Sequence, residues 1–181
     1  MVGGRPTNQP KAGYEYLAAY MLGKVIQDLT EQFTKRWIYT YRRRDQMNEA
    51  ARSNSQNVAE GYTGESLKSY IKLAGVAHGS NEELTKDYED FLRVNGYSTW
   101  GTSHPKIRGF RKFRVCWVCE NALNTPKLPN DPEEAANMLL TFCNMDGYLL
   151  KRLVDFLKQK HQQEGGLTEE LYRNRKEYRG F

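Results

Sequence analysis

Long apolar runs are missing from this 181-residue sequence: none approaches the roughly 20 residues that a membrane-crossing helix needs. Histidine is scarce, and His78, His104 and His161 are scattered without an H-x-x-x-H pair. No G-x-S-x-G elbow, phosphate-binding loop or dinucleotide fingerprint occurs, and no Glu-x-x-His motif of the di-iron bundles. These absences argue against an enzyme, and no cofactor is expected. Cysteine is limited to Cys116, Cys119 and Cys143, an odd number that does not suit a disulfide framework. Cys116 and Cys119 have the spacing of half a zinc site, but no second pair exists and His104 is too far upstream. Their apolar neighbours Val115, Trp117 and Val118 favour buried packing thiols. Residues 1–12 are rich in Gly, Pro and Asn with no apolar block, so a flexible lead is expected rather than a secretory signal. A cytoplasmic location follows from that expectation.

What is present is charge and helical periodicity. Charged residues make up 27% and hydrophobic residues 39%, which suits a globular chain with a solvated surface. The formal net charge is +5, so the placement of the cations matters more than their total. Leu22, Ile26, Leu29, Phe33 and Trp37 recur at three- and four-residue steps, predicting a first helix over 13–39. Arg42, Arg43 and Arg44 suit its C-terminal end or the turn after it. A second helix is expected over 45–62, with Asp45 as its cap. Its apolar face is thin, and Ser53, Asn54, Gln56 and Asn57 imply close backbone packing, a polar network or partial exposure.

The third helix is predicted over 67–94, capped by Thr63 or Ser66 and stopped by Asn95-Gly96. An irregular insertion over 97–132 carries four of the six prolines and is expected to hold a short helix near 109–123. Asp131, Pro132, Glu133 and Glu134 form a helix start, and Met138, Phe142, Met145, Leu149, Leu153 and Phe156 give the fourth long helix its stripe. Gly165-Gly166 ends it, and a short tail helix follows over 168–178. The expected fold is all-α: an antiparallel up-down four-helix bundle over 13–163, with an insertion before the fourth helix and a C-terminal suffix over 164–181.

The segment from Ala50-Ala51 through Asn57-Val58-Ala59-Glu60-Gly61, followed by Ser66, Lys68, Tyr70 and Gly79-Ser80-x-x-Glu83-Leu84, resembles a family signature. It is similar to the four-helix-bundle proteins encoded in ribosomal-RNA intervening sequences, in the variant that bears a suffix. The chain departs from the pattern at Arg52, Asn54 and Ser55. The resemblance implies a homopentamer. Through the related accessory variability protein of diversity-generating retroelements, it also implies nucleic-acid binding and a reverse transcriptase as a candidate partner. Asn57, Glu60, Gly61, Gly79, Ser80 and Glu83 are then structural or interface residues. Gly61 is expected to end the second helix in a left-handed conformation, and Gly79 to allow close helix approach.

The best functional candidate is the stretch from His104 to Arg114. Lys106, Arg108, Arg111, Lys112 and Arg114 bear charge that would neutralise phosphates, and Phe110 and Phe113 are placed to stack on bases or to pack on the bundle. Arg42, Arg43 and Arg44 are candidates for the same surface. The expected function is a non-catalytic, homo-oligomeric accessory protein that binds RNA or single-stranded DNA. The alternative is an oligomeric interaction scaffold that grips a protein partner through Trp100, Phe110 and Trp117.

Overall fold

Four long helices bury most of the stripes read from the sequence, and the main buried cluster draws on all four. In the computed structural model, residues 11–64, 66–119 and 122–180 are described. The expected lead over 1–12 therefore lies outside them up to residue 10.

A short 3-10 turn, Gly13–Tyr16, precedes α1 (Ala18–Trp37), because Leu17 is extended and separates the two. Leu22, Ile26, Leu29 and Phe33 are all buried on α1. The helix stops at Ile38, and α2 (Tyr41–Thr63) begins after Thr40. This start corrects the expected one. Asp45 lies inside α2 instead of capping it, and Arg42, Arg43 and Arg44 occupy its first turn rather than the end of α1. Positive charge there opposes the helix dipole instead of complementing it.

The remaining ends follow their local chemistry. Ser66 Oγ accepts from the Ser69 amide at 3.1 Å, starting α3 (Leu67–Val94), and Gly96 closes it at φ 71°. Asp131 Oδ1 accepts from the Glu134 amide at 2.8 Å and starts α5 (Pro132–Glu164). Gly165, at φ 78°, separates α5 from α6 (Leu167–Arg179). Leu157 rather than Phe156 completes the buried face of α5. Phe156 is 61% exposed and Leu157 3%, because a straight 3.6-residue helix turns its apolar face steadily along 33 residues.

Contacts between successive helices run in opposite senses. Thr34 meets Asn48 while Gly23 sits beside Asn54. Arg43 reaches Asp87 and Ser53 reaches Ser80. Asn81 reaches Cys143, and Ala74 packs with Leu157.

The insertion is a strap. It contains α4 (Pro105–Phe110) and an antiparallel ribbon of β1 (Trp117–Cys119) and β2 (Ala122–Leu123). The expected helix over 109–123 is thus replaced by a helix that ends at Phe110 and by a hairpin. Val115, Trp117 and Val118 are β-branched or aromatic and favour the ribbon. Asn124 fixes it by donating to Arg114 O and accepting from the Cys116 amide, both at 2.7 Å. The strap lies across α1 and α5: Phe110, Phe113, Val115 and Leu123 pack on the shared core, and Trp117 Nε1 donates to Glu15 O at 2.8 Å. Among the described residues, no helix is long and apolar enough to cross a membrane.

Candidate nucleic-acid interface

The strap sorts its side chains by chemistry. Phe110 and Phe113 point at the bundle, and Phe113 stacks on Phe142 of α5 with centroids 5.1 Å apart. Both rings are partly buried, and these contacts match the reading in which they pack on the core. Arg108, Arg111, Lys112 and Arg114 are exposed. Lys106 is held differently, paired with Glu134 and 5.6 Å from the Trp100 ring centroid. Arg114 Nη1 donates to Arg111 O and Phe113 O, each at 3.0 Å, which fixes the direction of its guanidinium. Arg108, Arg111 and Lys112 form no ion pair among the described residues.

The second basic run makes separate contacts. Arg43 donates to Asp87 O on α3 at 3.2 Å, while the strap runs over α1 and α5. Among the described residues, no hydrogen bond or ion pair joins Arg42, Arg43 or Arg44 to the strap. Of the three, Arg42 is the exposed one.

Between the strap and α5 lies a cleft of about 850 Å³. Leu22, Trp100, Ile107, Phe113, Met145 and Leu149 give it an apolar floor, and Arg111, Arg114 and Tyr148 also line it. Tyr148 is 62% exposed, with the Arg152 guanidinium 5.9 Å from its ring centroid. No separate sequence pattern marks Tyr148, which sits between Met145 and Leu149 of the core stripe. Trp100 stacks on His104 at 4.2 Å, and the buried His104 Nδ1 has no hydrogen-bond partner among the described residues.

Cys116 and Cys119 are exposed, and only Cys143 is buried. That overturns the packing role expected for the pair, because the hairpin carries both thiols to the surface. Among the described residues, no group of three or more His, Cys, Asp or Glu is arranged to hold a metal ion.

The motif residues divide into packing and surface groups. Gly61 is buried inside α2 and does not end it; a Cβ there would collide with the Tyr70 ring and stand 3.3 Å from Leu73 Cβ. Its role is close approach, not a left-handed stop. Gly79 is exposed and an added Cβ would meet nothing, so it brings no helices of this chain together. Asn57 Nδ2 donates to Ser53 O at 2.7 Å and to Ser53 Oγ at 2.8 Å, and Ser80 Oγ donates to Ser53 Oγ at 3.0 Å. Glu60 and Glu83 face outward, accepting from Gln56 and Gln46.

Of the departures from the motif, Arg52 is exposed and pairs with Glu49. Asn54 and Ser55 are buried, and Asn54 belongs to a polar cluster with Asn81 and Asp146, all three fully buried. Asn54 Nδ2 donates to Asp146 Oδ2 at 2.7 Å and to Asn81 Oδ1 at 3.3 Å. Asn81 Nδ2 donates to Cys143 O at 2.9 Å. Burial pushes the Asp146 carboxyl up to about 8 against the opposing Asn54 hydrogen bond, and burial also raises the Cys143 thiol. All three readings open for the thin face of α2 hold in part: Asn54 joins a polar network, Gly61 packs closely, and Gln56 is exposed.

Comparison with curated proteins and with solved structures gave no match. Residues 16–99 match the family model of the 23S rRNA-intervening sequence protein, so the resemblance carried by the motif residues of α2 and α3 is a family match over that span.

Proposed function

We propose that the chain is a non-catalytic nucleic-acid-binding accessory protein, built as an antiparallel up-down four-helix bundle and working as a homo-oligomer. The opposite-running contacts between successive helices support the bundle. One observation carries the binding reading: the strap turns its phenylalanines inward and leaves Arg108, Arg111, Lys112 and Arg114 in solvent without an acidic partner among the described residues. Such a surface attracts phosphates, and binding releases their counterions. The family match to an rRNA-intervening sequence protein favours RNA as the ligand. A homopentamer and a reverse transcriptase partner extend this reading by resemblance alone. A ring would repeat the strap around its rim and turn weak contacts into avid ones.

The test is titration of fluorescent RNA and single-stranded DNA across a salt series, with light scattering to count subunits. Wild type should lose affinity steeply as salt rises. Replacing Arg108, Arg111, Lys112 and Arg114 with glutamine should flatten the log–log slope by up to about 3. Unchanged affinity after that substitution sinks the assignment of the strap. The scaffold alternative is less favoured because the aromatics it needs are engaged: Trp117 is bonded to Glu15 O and Phe110 is packed on the core.

A further inference from the structure

The cleft between the strap and α5 has an apolar floor and a cationic rim. A ligand that matches both must have a flat, uncharged body flanked by anionic groups. We propose that this cleft receives one unstacked nucleobase of a single strand, held against the ring of Tyr148, with Arg111 and Arg114 on the adjoining phosphates. This deepens the nucleic-acid reading above and rests on it.

Several observations lead to this occupant. The opening of about 850 Å³ accommodates a base with its sugar, within the usual range of small-ligand sites. Its Leu22, Ile107, Met145 and Leu149 side chains offer apolar contact to a base, and Thr99, Thr102 and Asn144 place polar groups where they can meet a base edge or sugar. The two arginines that line it come from the strap, and Glu89 is the one acid among the lining residues. Arg114 is already oriented by its two carbonyl acceptors, which lowers the entropy cost of using its remaining nitrogens. Tyr148, 62% exposed, supplies the most open ring of the cleft, whereas Phe113 lines it with a ring already stacked on Phe142. The Arg152 guanidinium, 5.9 Å from that ring centroid, adds a further cation beside Tyr148. A duplex keeps its bases stacked inside, so it would meet only the cationic rim and leave the floor empty.

The experiment compares three ligands of equal length on the full chain: a single-stranded RNA, the same strand in a duplex, and an abasic strand that keeps the phosphates. Wild type should bind the base-bearing single strand about tenfold more tightly than the abasic strand. Tyr148→Ala should remove that preference while leaving the salt dependence intact, and Tyr148→Phe should keep it. Because Tyr148 is a surface residue, both variants should fold, with far-ultraviolet circular dichroism as the check. Equal, salt-dependent binding of all three ligands overturns the base pocket and leaves the basic strap standing. No binding to any of them at low salt overturns both.

Discussion

The Asn54 side-chain amide on α2 donates to Asp146 Oδ2 on α5 at 2.7 Å, joining residues 92 apart in the sequence across a fully buried centre. The other oxygens of this pair, Asn54 Oδ1 and Asp146 Oδ1, have no hydrogen-bond partner among the described residues. A proton on Asp146 Oδ1 would let it donate to Asn54 Oδ1, so the acid and the amide would pair reciprocally. An ionised carboxylate would leave a buried charge with one good donor.

That arrangement sets a pH dependence. The carboxyl titrates near 3.8 when unfolded and at about 8 in the fold. Between these values the native state binds a proton that the unfolded state has released. Stability contributed by Asp146 is therefore fully present below about pH 4, falls through neutrality and levels off above about pH 8. The slope from this one group reaches about 1.4 kcal/mol per pH unit. Asp146→Asn keeps an acceptor for Asn54 and adds a donor, so it should flatten the dependence and stabilise the chain at pH 8. Urea midpoints for both proteins from pH 5 to pH 8 check this. Parallel profiles would count against it.

Gly61 and Gly79 belong to one sequence motif but should respond oppositely to alanine. Gly61→Ala drives a methyl into the Tyr70 ring and should cost about 1–3 kcal/mol, as overpacked core sites do. Gly79→Ala meets open space in the middle of α3 and should stabilise the fold by up to about 1 kcal/mol through helix propensity. Denaturant midpoints read both. A sign reversal at either site would contradict the packing described.

Thiol labelling separates the three cysteines. Cys116 and Cys119 should react quickly with an aromatic disulfide reagent under native conditions, being exposed on the strap. Cys143 is buried and its thiol is raised by that burial, so it should react only on unfolding. Three fast equivalents would mean that the α5 core opens readily, and one or none that the hairpin is covered.

Much of the helical fold was legible because its signals are local. The ends of α3 and the start of α5 are written in Ser66, Asn95, Gly96 and Asp131, whose caps act within a few residues. The arginine run was misread because a basic cluster after a helix looks like its C-terminal end. Only Ile38 and Thr40, extended between two helices, show that Tyr41 begins a new one. The strap was illegible for another reason. Whether Val115 to Leu123 coil or pair depends on Asn124 and on the α1–α5 surface beneath, and both are tertiary information. The cleft likewise combines residues from α1, α3, the strap and α5, so its parts lie far apart in the sequence.

The first turn of α2 sets stability against binding. Arg42, Arg43 and Arg44 stand where the helix dipole disfavours cations, and that turn contains no acid. Arg43 recovers something through Asp87 O, whereas Arg42 is exposed. Arg42→Glu should therefore stabilise the fold by about 0.3–1 kcal/mol at low ionic strength, an effect that salt should erase. If α2 presents a second phosphate-binding surface, the same variant should weaken RNA binding while the base preference assigned to Tyr148 persists. Thermal melts at two salt concentrations, paired with RNA titrations, read the two effects separately. A gain in stability with unchanged affinity would remove this run from the interface and leave the strap as the proposed binding surface.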